Sequence, residues 1–75
     1  LSELGQFGDA EVYLGKAINE QKDNSSLYLS RGKALEKLGR NKDAREVWKR
    51  GVEVASRRGD LMPMREMEHR LLLLG

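Results

Sequence analysis

Residues 38–52 read LGRNKDAREVWKRGV, and residues 4–18 read LGQFGDAEVYLGKAI. Leu4-Gly5, Asp9-Ala10, Leu14, Lys16-Ala17 and Ile18 recur as Leu38-Gly39, Asp43-Ala44, Trp48, Arg50-Gly51 and Val52, with a step of 34 residues at every matched position. A fixed period of that size, filled with helix-forming residues, marks a helical repeat, in which each hairpin buries its apolar face against its neighbours. Such repeats more often present surfaces to other macromolecules than enclose reactions.

Working outward from this stretch, the apolar spacing predicts four helical segments. Residues 42–57 carry Ala44, Val47, Trp48, Gly51, Val52 and Ala55 on one stripe, with Asn41 placed to cap the free amides. Residues 25–38 align Tyr28, Gly32, Leu35 and Leu38. Asn24 or Ser25 stands at their cap, and Gly39 ends them where a left-handed turn is needed. Residues 8–21 set Ala10, Leu14, Ala17 and Ile18 on one side. After Gly59-Asp60, residues 61–73 form a fourth helix with Pro63 in its first turn, where a missing amide hydrogen costs little. Its apolar face is Leu61, Met64, Met67, Leu71 and Leu74.

The fourth segment departs from the repeat, since Glu66 stands 34 residues after Gly32. Leu1 and Leu4 fall 34 residues before Leu35 and Leu38, and read as the end of a further helix whose front is missing. The expected organisation is one domain over residues 1–75. It holds the second half of a repeat (1–24), a full repeat (25–58) and a capping helix (59–75), as at the carboxy-terminal end of an array.

The chain has 75 residues and no cysteine. A chain this short buries only about 60–65% of the surface its unfolded form exposes, so its stability rests on well-fitted helix contacts. The lack of cysteine removes thiolate zinc sites and thiol nucleophiles, and suits a reducing compartment. No secretory signal is visible, and a cytoplasmic location is expected. The 14 basic and 12 acidic residues leave a net charge of only +2. Glu46 with Arg50, Glu53 with Arg57 and Glu66 with Arg70 each lie four apart, where an exposed pair contributes about 0.2–0.5 kcal/mol.

Tyr28, Gly32, Leu35, Gly39, Ala44, Trp48 and Gly51 together resemble the tetratricopeptide repeat, and Gly5, Ala10, Leu14 and Ala17 resemble the second half of a preceding copy. The resemblance covers residues 1–58, and the last helix is similar to the solvating helix that closes such arrays. It implies an all-α fold, a right-handed α-α superhelix of antiparallel helix pairs, here about four helices. The small residues are read as points of close approach: Gly32 against Ala44, with Gly51 and Ala17 letting the next helix nest. Three departures stand out. Arg31 replaces a leucine common in the family, Asn41 replaces an aromatic that Phe7 keeps in the earlier copy, and Lys22 and Ser56 replace the proline that often ends a repeat.

The same resemblance implies a non-catalytic protein–protein interaction scaffold that holds a peptide or partner helix on its concave face, lined by the first helix of each pair. There residues 25–38 offer Ser26, Leu29, Ser30, Lys33 and Lys37 as the peptide-binding set. Lys33 and Lys37 would form a positive strip suited to an acidic peptide or a terminal carboxylate; as two exposed lysines they are also ordinary helix surface. A family subgroup clamps a peptide carboxylate with lysine and asparagine at set places, which Leu29, Ser30 and Lys33 do not reproduce.

Other chemistries find little footing. His69 with Glu66 gives two metal ligands where zinc takes three or four. Tyr28 and Trp48 lie at core spacing, Gly5 and Gly8 lack the spacing of a phosphate loop, and Ser2, Ser25, Ser26, Ser30 and Ser56 have no histidine–carboxylate partners at readable spacing. The expectation is no enzyme, no cofactor and no metal. A membrane partner is not expected, because the apolar run 71–74 is far shorter than the roughly 20 residues that span a bilayer. Nucleic acid is disfavoured despite Lys49-Arg50 and Arg57-Arg58. The alternative is a self-associating module, a homodimer formed through exposed array ends, to which the cluster of Met62, Met64, Met67 and residues 71–74 could contribute. The proposed hairpin predicts that Ala44→Leu lowers stability in urea unfolding by about 1–3 kcal/mol through overpacking.

Overall fold

The structure, a computed structural model, describes residues 3–74. Four helices follow one another: α1 (Glu3–Glu20), α2 (Ser25–Lys37), α3 (Asn41–Arg58) and α4 (Leu61–Leu74). No strand occurs among the described residues, and the fold is all-α. Each helix packs on the next, and α4 also reaches back to touch α2, whereas α1 and α3 do not pack together. The shortest dimension, 17 Å, fits two layers of helix at the usual interaxial distance of about 8–10 Å.

Two of the three turns are built alike. Gly39 and Gly59 adopt left-handed φ values of 79° and 76°, which an L side chain would resist. Behind Gly39, the Arg40 amide donates to the Leu35 carbonyl at 2.9 Å and the Gly39 amide to Glu36 at 3.0 Å. Behind Gly59, Asp60 donates to Ala55 at 2.8 Å and Gly59 to Ser56 at 3.3 Å. Both are Schellman closures, which use carbonyls that the helix end would leave unpaired.

The expected caps are not used. Asn24 stands at the cap position of α2 but makes no side-chain cap bond; its amide donates to Gln21 Oε1 at 3.2 Å instead. Ser25 Oγ donates to Asp60 Oδ2 at 2.9 Å, tying the start of α2 to the α3–α4 turn. Asn41 is already helical, and Arg40 occupies the cap position with its guanidinium on Asp43.

The start of the chain also differs from expectation. Glu3 and Leu4 belong to the first turn of α1 and Gly5 lies inside it, so no helix ends there; Leu1 lies outside the described residues. A glycine inside a helix costs about 1 kcal/mol relative to alanine.

The core is centred on Trp48, Leu35 and Met67, the largest fully buried side chains. Gly32 faces the indole of Trp48 rather than Ala44, and Gly51 faces Met67 Sδ and Tyr28 Cβ. The Trp48 Nε1–H donates to the Leu29 carbonyl at 3.2 Å, and the Tyr28 hydroxyl to the Lys22 carbonyl at 3.1 Å. Repeat partners differ in burial: Ala44, Trp48 and Gly51 are buried, whereas Ala10, Leu14 and Ala17 are half-buried. The cause is coverage, since α3 lies against both α2 and α4 but α1 packs on α2 alone. On α4 only Met67 is buried; Met64, Leu71 and Leu74 pack partly against the core, and Leu61, expected inside, is exposed.

One polar link ties α1 to α2. The buried Glu11 accepts from Arg31 Nη2 at 2.7 Å and Nε at 3.1 Å, and Arg40 Nη1 approaches its other oxygen at 3.8 Å. A side chain at position 15 would press on that guanidinium, so Gly15 leaves room for Arg31.

Gly32→Ala places a methyl on the Trp48 indole and is expected to lower stability by about 1–3 kcal/mol, although alanine is the better helix former. Gly8→Ala, which meets nothing, should raise it by about 0.5–1 kcal/mol. Parallel urea titrations read both signs.

Candidate functional site

Because Met67 seats against Gly51, α4 is drawn alongside α2 as well as α3. The two helices then border an open groove of about 580 Å³, lined by Ser26 and Leu29 from α2 and by Met62, Pro63, Arg65, Glu66 and His69 from α4. That volume is within the roughly 300–1,000 Å³ range of ligand sites. Its walls join a half-buried leucine and a proline ring to Met62, which is 82% exposed. Exposed methionine is suited to partners of irregular shape.

The five residues expected to bind peptide divide across this surface. Ser26 and Leu29 line the groove. Ser30 is exposed outside it, and Lys37 is exposed one turn beyond Lys33. Lys33 does not stand free: its Nζ lies 3.4 Å from Glu66 Oε1. The expected two-lysine strip is therefore reduced to Lys37.

Glu66 has a second cation, Arg70 Nη2 at 3.5 Å, while Arg70 Nη1 lies 3.5 Å from Glu36. The Arg70 guanidinium sits 5.9 Å from the centroid of the Trp48 ring, within cation–π range. Lys33, Glu66, Arg70 and Glu36 thus form a charged network that fastens α4 to α2 across the top of the indole. Of the three helical pairs expected from spacing, Glu66–Arg70 closes; Glu46–Arg50 and Glu53–Arg57 do not reach ion-pair distance among the described residues. Their few tenths of a kcal/mol do not hold two long exposed side chains in one geometry. Arg65 also has no ion-pair partner among the described residues. With Glu66 shared by two cations, Arg65 gives the groove rim a positive character.

Sequence reasoning did not assign Met62, Pro63, Arg65, Glu66 or His69 to this surface. One signal was present: Glu66 stands where the repeat predicts the glycine equivalent to Gly32. A glycine there would suit an opposing indole; a glutamate suits the cations of the neighbouring helix.

No group of three or more His, Cys, Asp or Glu among the described residues is placed to hold a metal ion. No described helix is long and apolar enough to cross a membrane. Comparison with known proteins returns no match: no family model, curated protein or solved structure aligns with the chain.

Glu66→Ala removes the shared anion of the network. Because these side chains are about 30–45% exposed, global stability is expected to fall by no more than about 1 kcal/mol. Amide hydrogen exchange should nevertheless accelerate in α4 more than in α3.

Proposed function

We propose that this chain is a non-catalytic scaffold of the tetratricopeptide type, which holds a peptide or partner helix in the groove between α2 and α4. The supporting observation is the side-by-side contact of α2 with α4, the relation expected between the first helices of successive hairpins, with an open, largely apolar groove along it. The resemblance carried by Tyr28, Gly32, Leu35, Gly39, Ala44, Trp48 and Gly51 adds the superhelical arrangement to this reading. Recognition in such a groove comes from apolar anchors, with charge choosing among partners. Leu29, Met62 and Pro63 supply the apolar seat. Arg65, rather than Lys33, supplies the available cation, so the preferred partner is an acidic peptide.

A second reading, self-association through exposed apolar ends, has its own observation: Leu72 and Leu73 are 79% and 70% exposed at the end of α4. A dimer built there would be lost in Leu72→Ser/Leu73→Ser when sedimentation is followed over a range of concentrations.

The groove is tested by selecting displayed peptides against the intact chain and titrating the winners by fluorescence anisotropy. Selected peptides should carry apolar and acidic residues, compete with one another, and lose at least about tenfold in affinity to Met62→Asp and to Arg65→Glu. Winners that bind both variants like the parent protein would overturn the assignment of the groove.

A further inference from the structure

The second surface of interest is the outer face of α3. The helix leaves a trough between itself and α1, because those two helices do not pack together. Two adjoining hollows of about 220 and 410 Å³ lie along it, sharing Ile18, Asn19, Tyr28 and Arg50. The α3 side of this trough carries Glu46, Arg50, Glu53 and Arg57, beside Val47 and Val54. All four charged residues are exposed, and none makes an ion pair among the described residues.

Their order is what matters. At about 100° per residue, Glu46, Arg50, Glu53 and Arg57 fall within about 60° of arc, on one line along the helix. Read from either end the spacing is the same, four, three, four, and reversing the direction exchanges every glutamate for an arginine. An antiparallel copy centred between Gly51 and Val52 therefore sets Glu46 opposite Arg57 and Arg50 opposite Glu53, each pair occurring twice. A two-fold interface demands that a patch complement itself, and this stripe does.

We propose that α3 forms an antiparallel, isologous contact with α3 of a second copy of this chain, through the stripe Glu46, Arg50, Glu53 and Arg57. Other occupants fit less well. A nucleic-acid backbone drawn by Arg50 and Arg57 would meet the carboxylates of Glu46 and Glu53 on the same line. A uniformly acidic peptide meets the same repulsion, and a basic one meets the arginines. The partner must alternate in charge with this spacing, and this chain supplies that pattern itself. Lys22 and Asp23 at the far rim of the trough carry opposite charges and do not bias it. Because the contact consists mostly of exposed ion pairs, the dimer is weak and sensitive to salt. The stripe shares no residue with the α2–α4 groove or with Leu72 and Leu73, so it stands or falls independently of both readings above.

Two variants test it. Arg50→Glu/Arg57→Glu makes the stripe wholly acidic, and Glu46→Arg/Glu53→Arg makes it wholly basic; circular dichroism checks that each remains helical. In sedimentation equilibrium the parent chain should associate, with its dissociation constant rising at least about tenfold from low to high salt. Each variant alone should be monomeric at concentrations where the parent dimerises, and an equimolar mixture of the two should recover the dimer. A parent chain that stays monomeric to millimolar concentration overturns the proposal. So does self-association of either variant equal to the parent's, or a mixture that fails to pair. Loss of the parent dimer in Leu72→Ser/Leu73→Ser instead assigns the contact to the end of α4 and overturns the α3 interface.

Discussion

Trp48 can lie where it does only because position 32 has no side chain. The indole fills the space that a Cβ on Gly32 would occupy, so α2 and α3 approach more closely than two ordinary helix faces would allow. From that contact the rest is placed in turn. The indole N–H reaches the Leu29 carbonyl, Arg70 stacks above the ring, and one turn further along α3 the same device recurs, with Gly51 receiving Met67 from α4 and Tyr28 from α2. Two hydrogens in place of two methyl groups set the spacing of three helices. Interiors packed at crystal-like density transmit such constraints without slack.

The outer helices are held by a different division of labour. Fully buried apolar residues are concentrated on α2 and α3, whereas α1 contributes Ile18 and α4 contributes Met67. Charge supplies orientation at both edges: Glu11 with Arg31 on one side, and Lys33, Glu66, Arg70 and Glu36 on the other. Glu11 is the more consequential anion, because it is nearly buried and without Arg31 would keep only the longer contact with Arg40 at 3.8 Å; a poorly paired buried charge costs more than an exposed pair contributes. The α4 network is half exposed and weaker, so α4 is the helix whose docking is most easily altered.

Much of this was legible in the sequence, and the failures have identifiable causes. The helices, the glycine stops at Gly39 and Gly59 and the core stripe of α3 follow from periodicity and from the backbone freedom of glycine. Leu4 misled because its correspondence with Leu38 was one of residue type, whereas a helix end also depends on neighbours in space. Asn24, Ser25 and Asn41 misled because a capping residue type only offers a bond: Ser25 found Asp60 across the fold instead. The Glu11–Arg31 link joins residues 20 positions apart and leaves no periodic trace. Lys33 was read as a free cation, but its partner Glu66 belongs to another helix, and single-helix spacing cannot reveal that the charge is already engaged.

Position 66 shows how one departure from the repeat reshapes a surface. On α2 the glycine at the matching position is a seat for an indole, and the helix there is covered. On α4 the glutamate removes that seat and attracts Lys33 and Arg70, which commits both cations to holding the helix. With those charges engaged, Leu29, Met62 and Pro63 stay accessible beside Arg65, whose guanidinium has no ion-pair partner among the described residues. The groove and the break in the pattern therefore have one cause: a side chain that cannot accept close packing anchors α4 by charge at its edge and leaves an apolar channel beside it.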